Sequence, residues 1–505
     1  MDDRLEFYDP LYETISFERG LPAGRGFHLE NEDDPLDPRD IVVTAEFSRL
    51  SFLRQVGLAW LVFPSATHTR FAHSIGCWWL GRIAESAIKV MFNVNGDSRR
   101  QQVESRSLRW WLERQALREE FYLALLLHDI GHGPLSHVLE HNDAFVSALT
   151  ETGMSKPDHE HRGAALLLGE GPLARAWPDI AVARYGKDTR RFDHVRKGLQ
   201  KLKGKVCLSA VAFLMTGDTT YADRCSHSHR SGLSVVKELV SGVLDLDRLD
   251  HYARDSYFSG LRQVSFNLRG FLSSIRIRFI QDANQQTVLS LNERDAVFSL
   301  GDNGASYAAS LLFSKRQIVF SMFRNARSVA LHAMANRALT ILINSAGVRS
   351  DKQKLAVSIA LMDDDEFLHK IADSSEPECR SIARRIRAVR PYALALRWPN
   401  TDLGLDHASI KARLSEFVAR HDGDVLVYTD QRFWDRSPAD SSRDWLDTGH
   451  FLVEDTGRPL TEHPDHRGDF AHLREADKLQ YLWAFVTDSS AVPVVNKKLS
   501  AILAG

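Results

Sequence analysis

The sequence predicts a mainly α-helical protein with a helical core, a small β-hairpin element and a mixed α/β C-terminal region. Apolar residues recur at helical spacing through most of residues 44–149, and they do so again in residues 233–255 and 314–371. Residues 275–300 instead alternate polar and apolar side chains around an Asn and Gln turn, which predicts the two strands of a hairpin. We therefore expect a large helical body with little sheet.

The first half of the chain predicts an N-terminal arm followed by the main helical domain. Residues 1–40 form an arm or hairpin in this interpretation, because residues 15–30 alternate around a cluster of Gly and Pro. Residues 41–270 form the helical domain, with a polar insertion near residues 185–230. Its first helical segments, separated by Gly, Pro or Asn, are residues 46–63, 69–92, 110–128 and 134–149.

The second half is predicted to complete the helical body and to add a mixed unit. Residues 271–375 combine the expected hairpin with helical patterns at residues 314–346 and 352–371. Residues 376–505 show both helical and strand-like patterns. Regulation and oligomerisation are the two roles left open for this C-terminal region.

Composition excludes several classes of protein. Of 505 residues, 64 are Lys or Arg and 66 are Asp or Glu, so no global field marks nucleic acid or a membrane as an obligate partner. The four cysteines are widely scattered, which favours free thiols in a reducing compartment. The N-terminus lacks the apolar stretch of a signal peptide, and no segment approaches the roughly 18 apolar residues of a membrane span. We therefore expect a soluble cytoplasmic protein.

The stretch LALLLHDIGHGPLSH, residues 123–137, places metal-binding side chains where the most apolar helical segment ends. Residues 121–127 are apolar on every face, which predicts a buried helix that ends at His128 and Asp129. Two glycines then permit a sharp turn, and Pro134 suits the first position of a new helix. Side chains at such a junction can converge on one point.

A cation would explain this arrangement, because a carboxylate buried beside imidazoles is costly without one. An isolated His–Asp pair more often caps its helix, but two further segments argue against that interpretation. Upstream, Arg70 and His73 share a helical face. Downstream, Asp247, His251 and Asp255 follow one another at four-residue steps. The three segments together predict one divalent-metal site, whose imidazole and carboxylate ligands suit Mn, Fe, Zn, Ni or Mg.

The motifs resemble those of the HD-domain metal-dependent phosphohydrolases, in which ligands occur in the order H…HD…D. Four stretches, RFAHSIG, HDIGHGPLSH, DHEHRGAAL and LDLDRLDHYARD, resemble the deoxynucleoside triphosphate triphosphohydrolase branch, which includes the bacterial dGTPases and the SAM-and-HD-domain dNTPases. YDPLYETISF near the start and LMDDDEFL after Ala360 resemble further family elements. The resemblance covers residues 7 to 370, approximately.

This resemblance implies roles for individual residues. The metal ligands would be His73, His128, Asp129 and Asp247. The catalytic groups would be His132 and His159, beside the scissile phosphate, with Glu140 orienting His132. The substrate contacts would be Arg70 and Arg248 on the triphosphate, His137 on phosphate or sugar, Gln55 and Asp255 on the sugar, and also His251, Arg324 and Arg327.

The same resemblance implies an activity. A divalent metal would lower the pKa of its bound water from ~16 towards ~7 and polarise the α-phosphate of a dNTP. The products would be a deoxynucleoside and inorganic tripolyphosphate. A homo-oligomer is implied, and a role in limiting dNTP pools, including antiviral defence, follows by analogy alone.

Two departures from the family pattern affect selectivity and regulation. His251 replaces the family tyrosine that packs on the sugar, so the identity of the sugar and base is open, and His251 is also a candidate phosphate contact. Val43, Ser48 and Ser51 occupy the positions that read a regulatory guanine nucleotide, which predicts that this activator site is absent. Another allosteric nucleotide remains an open possibility.

Two other functions stay open. One is an HD phosphodiesterase or nuclease that acts on cyclic nucleotides or single-stranded nucleic acid, which the basic run of residues 190–205 would suit. The other is a nucleotide-sensing module with a vestigial site, against which the intact ligand set argues. Cys225, His227 and His229 also alternate as in a small metal cluster, although a polar loop is the preferred interpretation.

Overall fold

The computed structural model describes most of the chain. The described residues are 4–18, 38–94, 102–193, 206–226, 232–242, 245–261, 267–279, 296–301, 303–399, 407–421, 424–429, 451–453, 458–459 and 481–503. Within them, no helix combines the length and the apolarity needed to cross a membrane.

Helices dominate, as the sequence predicts. In chain order they are α1 (Pro38–Val42), α2 (Ala45–Ser48), α3 (Arg70–Ala87), α4 (Leu108–Gln115), α5 (Arg118–Leu127), α6 (Asp143–Thr150), α7 (His159–Leu168), α8 (Gly171–Tyr185), α9 (Leu208–Thr216), α10 (Thr219–Ala222), α11 (Leu233–Ser241), α12 (Leu246–Ser259), α13 (Leu268–Ser274), α14 (Gly304–Ile318), α15 (Ala326–Ser345), α16 (Arg349–Ala360), α17 (Asp364–Ala372), α18 (Pro377–Arg387), α19 (His407–Arg420) and α20 (Val492–Leu503). Short 3₁₀ turns cover Arg49–Phe52, Gly57–Leu61, Ser136–Val138 and Ser489–Ala491, and a π turn covers Val319–Phe323.

The strands form three small sheets. In chain order they are β1 (Arg4–Asp9), β2 (Glu13–Glu18), β3 (Lys89–Val94), β4 (Gln102–Ser107), β5 (Ile275–Phe279), β6 (Ala296–Leu300), β7 (Ala393–Pro399), β8 (Val425–Thr429), β9 (Phe451–Val453), β10 (Arg458–Pro459) and β11 (Tyr481–Val486). β1 and β2 make a hairpin, six strands follow the order β10-β9-β6-β5-β3-β4, and three follow the order β7-β11-β8. The mainly α prediction with a mixed C-terminal region is confirmed.

Two large cores organise the helices. α3 and α5 meet in the first core, where Leu80, Phe121 and Leu125 are fully buried. The 20-residue helix α15 runs through the second core, which extends to Phe367 and to Trp483 on β11. A third, smaller core lies between the C-terminal three-stranded sheet and helices α19 and α20. Because α3, α5 and α12 all pack in the first core, the ends of these helices have fixed relative positions.

Several local expectations need correction. The N-terminal hairpin turns at residues 9–13, whereas the Gly and Pro cluster expected to form its turn lies outside the described residues. The segment predicted as one helix over residues 110–128 is broken at Ala116, which adopts a left-handed φ of 54°. Residues 89–92, predicted as the end of the helical segment 69–92, belong to β3. The predicted hairpin of residues 275–300 is confirmed in its antiparallel arms, and its turn lies outside the described residues.

The turn after the HD motif also differs from its prediction. Pro134 does not begin a helix, because Leu135 and Ser136 both adopt left-handed φ angles, of 59° and 62°. The glycines serve close packing instead of the turn. A Cβ atom on Gly131 would lie 2.1 Å from the backbone oxygen of His159, so only glycine lets this loop lie directly on the start of α7.

Helices α3 and α12 come into close contact at Gly76, and we expect alanine there to destabilise the protein. An added Cβ atom would lie 2.2 Å from Asp250 Oδ1 and 2.4 Å from Arg254 Nη2, both buried. The overpacking cost of about 3 kcal/mol exceeds the gain in helix propensity of about 1 kcal/mol. Thermal unfolding of Gly76→Ala followed by circular dichroism should show a lower Tm. An unchanged Tm would mean that α12 can move away from α3.

Candidate metal centre and active site

Three helix ends bring the predicted metal ligands together. α3 begins at Arg70 and carries His73 in its first turn, after a Thr69 side chain that caps Ala72 N at 3.4 Å. α5 ends at Leu127, so His128 and Asp129 follow directly. α12 begins with Leu246 and Asp247, after an Asp245 side chain that accepts from Arg248 N at 2.7 Å. Caps and buried helix ends therefore fix the ligand positions.

Each of the four predicted ligands has a donor atom within hydrogen-bond or ion-pair distance of at least one imidazole of the set. His73 Nε2 lies 2.9 Å from Asp247 Oδ1 and 3.1 Å from His128 Nε2. Asp129 Oδ1 lies 3.6 Å from His128 Nε2, and Asp129 Oδ2 lies 3.9 Å from His73 Nε2. The structure thus assembles the predicted set into one cluster.

The hydrogen bonds of the two imidazoles show that this cluster fits a cation. His128 Nδ1 must donate to the Leu125 carbonyl at 2.9 Å, because a carbonyl oxygen only accepts. His73 Nδ1 donates in the same way to the Asp250 carboxylate at 2.7 Å. With Nδ1 as the donor atom of each ring, the two Nε2 atoms lie next to each other and next to two carboxylates. Two imidazole Nε2 atoms and two carboxylates are the kinds of ligand that a divalent metal takes in proteins.

Cys77 lies near this cluster, and the sequence did not single it out. Its Sγ is 3.6 Å from His73 Nδ1 and 3.7 Å from His73 Nε2, so the sulfur lies over the ring face and away from the lone pair. Burial raises the pKa of the Cys77 thiol, which keeps it neutral. Cys77, His73, His128 and Asp247 each offer an atom within 4.8 Å of the others, so the structure places Cys77 beside the predicted ligands as a further candidate.

A second cluster of three histidines and one carboxylate borders the metal ligands. The His132 and His159 rings stack with their centroids 3.9 Å apart, and His132 Nε2 lies 3.3 Å from Asp129 Oδ1. Glu140 does not orient His132, which corrects the sequence interpretation: it binds His159 Nδ1 at 2.8 Å and His137 Nδ1 at 2.9 Å.

The two stacked histidines differ in charge. Burial and the nearby cations Arg70 and His159 hold the pKa of His132 well below its ordinary value, so this ring is neutral. Burial alone would lower the pKa of His159, but the Glu140 carboxylate raises it to about 9. At neutral pH the site therefore pairs a neutral imidazole with an imidazolium, the usual complement of a base and an acid.

This charge pattern predicts how activity depends on pH. If protonated His159 is required, activity is retained at neutral pH, is half lost where pH equals the His159 pKa of about 9, and falls further above it. In Glu140→Gln the main group that raises this pKa is lost, so the alkaline limb of the kcat/KM profile should move to lower pH. An alkaline limb that stays in place in Glu140→Gln would contradict the assignment of His159 as the acid.

The predicted triphosphate contacts fall into two groups. Arg70 is buried, and it donates to Asp129 Oδ2 and to Ser136 Oγ, both at 2.7 Å. Burial alone would raise the pKa of Asp129, but Arg70 and the two ligand imidazoles hold it well below its ordinary value. Arg248 instead extends to Asp245 and to the Gly242 carbonyl, with its side chain 40% exposed. Arg70 thus lies in the metal centre, and Arg248 lies at its solvent side.

The predicted sugar contacts meet beside the metal cluster. Asp255 Oδ1 lies 2.7 Å from His68 Nε2, and Asp255 Oδ2 lies 2.5 Å from His251 Nε2. Asp255 therefore holds both His251 and His68. Burial alone would lower the pKa of His251, but the Asp255 carboxylate outweighs this effect and raises that pKa. Gln55 is buried nearby, with its backbone N–H bonded to the His68 carbonyl at 3.1 Å.

Arg324 and Arg327 lie at the segment that follows the π turn Val319–Phe323. The Arg324 guanidinium lies over Phe320 and Tyr481, 5.0 and 5.2 Å from the ring centroids. Arg327 is exposed. The adjacent Phe323 ring does approach His251, at 6.1 Å between centroids, so this segment borders the sugar end of the site.

A buried residue that the sequence patterns did not identify fixes the backbone around the site. Asp364 accepts from Leu135 N at 2.7 Å and from Arg54 N at 2.9 Å, so one buried carboxylate fixes the left-handed turn and the backbone just before Gln55. Burial raises the pKa of Asp364 to about 6. The stretch LMDDDEFL contains this residue, but nothing in it signals which backbone amides its carboxylate would reach.

Comparisons with known proteins agree with this geometry. No family model matches the chain. Over 438 residues, 82% of the chain and 68% of the relative, it is 24% identical to a deoxynucleoside triphosphate triphosphohydrolase SAMHD1 homolog from Dictyostelium discoideum. Over 267 residues, 50% of the chain, it is 27% identical to the deoxynucleoside triphosphate triphosphohydrolase SAMHD1 of Bos taurus, of which the match covers 37%.

A solved structure shows the same fold. A phosphohydrolase from Bacteroides thetaiotaomicron superposes with a TM-score of 0.58 at 18% identity, covering 96% of this chain and all of that one. These matches, together with a 35% identity over 130 residues to a putative HD domain-containing protein of Acanthamoeba polyphaga mimivirus, are consistent with an HD-domain phosphohydrolase-like chain.

Proposed function

We propose that the protein hydrolyses deoxynucleoside triphosphates to deoxynucleosides and inorganic tripolyphosphate with the help of a divalent metal. The observation that carries the proposal is the contact between His73, His128, Asp129 and Asp247 beside a neutral and a cationic imidazole. The names of the curated relatives support dNTPs as substrates.

The metal would be held by His73 and His128 through Nε2 and by the carboxylates of Asp129 and Asp247. It would supply an activated water at neutral pH and a Lewis acid for the phosphate. Arg70 adds a fixed positive charge at Asp129, which favours an anionic phosphate in this otherwise buried place.

The histidine pair would handle the proton of the leaving group. His159 donates Nδ1–H to Glu140 at 2.8 Å, so its second N–H, on Nε2, is the one that can protonate the departing 5′-oxygen. The stacked His132 stays neutral, because an additional cation between Arg70 and His159 is disfavoured. Glu140 acts as the positioning residue for both His159 and His137.

The sugar end of the site would recognise deoxyribose through different chemistry from the family pattern. His251 offers an imidazole N–H donor in the place of a phenol, and the Asp255 carboxylate beside it raises its pKa against the effect of burial. An N–H donor favours a hydrogen-bond-accepting substrate group over a ring face. We therefore expect dNTP selectivity to change in His251→Tyr, measured as the ratio of kcat/KM between the four dNTPs.

A direct assay tests the proposed reaction. Purified protein is incubated with each dNTP, alone and in mixtures, with Mn²⁺ or Mg²⁺, and the phosphates are separated by ion exchange. We expect tripolyphosphate and deoxynucleoside in equal amounts. If every dNTP stays intact while labelled single-stranded DNA or a cyclic dinucleotide is cut, the protein is a phosphodiesterase or nuclease. Nucleotide binding without any hydrolysis would indicate a sensing module.

Assembly into a homo-oligomer, an allosteric nucleotide, a cytoplasmic location and a role in limiting dNTP pools stay predictions that rest on the resemblance. The positions of Val43, Ser48 and Ser51 lie in or beside α2, and their side chains offer no charge to a guanine base. The basic run of residues 190–205 lies mostly outside the described residues, so its proposed contact with nucleic acid also stays a prediction.

A further inference from the structure

A chain of buried ion pairs joins the N-terminal hairpin to the metal ligand His73. Asp250 Oδ2 accepts from His73 Nδ1 at 2.7 Å. Arg254 donates to both oxygens of Asp250, at 2.8 and 2.9 Å, and its Nη1 donates to Asp9 Oδ2 at 2.7 Å. Asp9 is 8% exposed, and the other three residues are fully buried. The hairpin carboxylate is thus three contacts from the metal position.

Asp9 has two separate tasks in the hairpin. Its Oδ1 accepts from the backbone N–H groups of Leu11 and Tyr12, at 2.9 and 3.3 Å, and so forms the turn between β1 and β2. Its Oδ2 alone reaches Arg254. A substitution that keeps Oδ1 and changes Oδ2 can therefore separate the turn from the contact with Arg254.

Aromatic contacts fix the hairpin against helix α3. The Phe17 ring stacks on Trp78 at 4.3 Å between centroids, and the Phe7 ring meets Phe71 edge-on at 5.6 Å. Both partners belong to α3, the helix that carries His73. Asp250 and Arg254 pack directly against Gly76 on the same helix, where an added Cβ atom would lie 2.2 and 2.4 Å from their side chains.

We propose that the hairpin of residues 4–18 is part of the metal centre and that Asp9 is a positioning residue that sets the affinity for the divalent cation. Asp250 holds the proton of His73 on Nδ1, which leaves Nε2 free to bind metal and raises its basicity. Arg254 is ion-paired with Asp250 and so weakens the Asp250 carboxylate as an acceptor for His73 Nδ1–H. Asp9 neutralises part of the Arg254 charge and therefore strengthens that acceptor. The inference rests on the metal site of the proposed function and is independent of the substrate.

The test measures metal binding in Asp9→Asn. Asparagine keeps an acceptor oxygen for the turn and places an amide in the position of Oδ2, where it cannot pair with the Arg254 guanidinium. We expect Mn²⁺ affinity, measured by competition with a fluorescent chelator, to fall about tenfold, the low end of the range for outer-shell partners. Glu6→Gln is the matched control, because it removes one carboxylate charge from the exposed side of the same hairpin.

Three results decide the matter. Unchanged Mn²⁺ affinity in Asp9→Asn, with native circular dichroism, overturns the positioning role while leaving the proposed function intact. If Asp9→Asn does not fold, Asp9→Glu replaces it, and this variant should bind Mn²⁺ more weakly than the wild type at an unchanged Tm. A wild-type protein that binds Mn²⁺ but hydrolyses no dNTP refutes the substrate proposal and leaves this inference standing.

An independent feature is a pair of cysteines at the start of α9 and just after α10. Their Sγ atoms, of Cys207 and Cys225, lie 3.3 Å apart. The backbone N–H of Cys207 donates to Glu120 Oε1 at 2.8 Å, so the pair is tied to α5, the helix that ends at the metal ligands. The other two cysteines, Cys77 and Cys379, are separately buried.

We infer that these two thiols form a reversible disulfide with a peroxide as the oxidant. One sulfur attacks hydrogen peroxide to give a sulfenic acid and water, and the second sulfur then displaces the second water as the S–S bond forms. Both thiol protons and two electrons pass to the peroxide, which leaves as two waters. The sulfurs need only a small approach to reach the disulfide length of about 2.05 Å.

Peptide mapping by mass spectrometry tests this inference. After peroxide treatment we expect a Cys207–Cys225 cross-linked peptide that a dithiol reductant removes, while Cys77 and Cys379 stay reduced. Cys225→Ser should lose the cross-link, and the oxidised wild type should have a higher Tm than the reduced protein, since the bond closes a loop. Two free thiols after peroxide treatment would overturn the disulfide.

Discussion

Replacing Asp129 with alanine is expected to abolish hydrolysis, with a loss of at least about 1,000-fold in kcat/KM. The substitution removes a metal-facing carboxylate and leaves Arg70, which donates to it at 2.7 Å, buried beside two ligand imidazoles. Mn²⁺ affinity should fall together with turnover. The measurement combines the tripolyphosphate assay with metal binding by chelator competition.

The control for this prediction is Asp143→Ala, which removes an exposed aspartate at the start of α6 without touching the cluster. Losing a buried partner also costs stability, about 3–5 kcal/mol for a broken buried pair, so folding is checked by Tm. Asp129→Asn keeps the shape of the side chain and should still be inactive. Turnover that survives in a folded Asp129→Asn would refute the metal-site assignment.

His159→Asn is expected to lower kcat by a factor of about 10² to 10⁴, the range for removal of a general acid. Asparagine can keep the hydrogen bond to Glu140, now 2.8 Å from His159 Nδ1, but it cannot donate a proton to a leaving oxygen. KM should change little, because the ring contacts Glu140 and His132 and not the metal ligands. Steady-state kinetics at saturating Mn²⁺ measure the two constants separately.

His161→Asn is the matched control, since His161 lies two residues along α7 and binds Asp158 and Asp218 instead of the cluster. Its kcat should stay near the wild-type value. Equal losses in His159→Asn and His161→Asn would assign the effect to α7 stability. A loss confined to KM in His159→Asn would make His159 a binding group and remove the acid from the mechanism.

The helices that carry the metal ligands could be predicted from sequence, because each is defined by local patterns. The all-apolar run of residues 121–127 predicted a helix end at His128 and Asp129, where the structure has it. The start of α12 was not predicted, because residues 233–255 show one continuous helical pattern. Breaks inside predicted helices could not be found in this way. Ala116 adopts left-handed backbone although alanine favours helix, because α4 and α5 must change direction there to pack.

The partners of the catalytic side chains were less predictable. Glu140 was assigned to His132, yet it holds His159 and His137. Asp255 was assigned to the sugar, yet both of its oxygens are occupied by histidines. In both cases the sequence offers several histidines as partners for one carboxylate. Only the packing of helices from distant parts of the chain decides which of these histidines the carboxylate contacts.

By itself, the sequence determined which residues can bind metal and that they stand at helix ends, because residue type and periodicity are local properties. Tertiary structure alone decided how these residues are supported. The Asp9–Arg254 contact joins residues 245 positions apart, and the His68–Asp255 contact joins residues 187 positions apart. No local pattern encodes such pairs. They form because the buried charges must find partners once the first core brings their helices together.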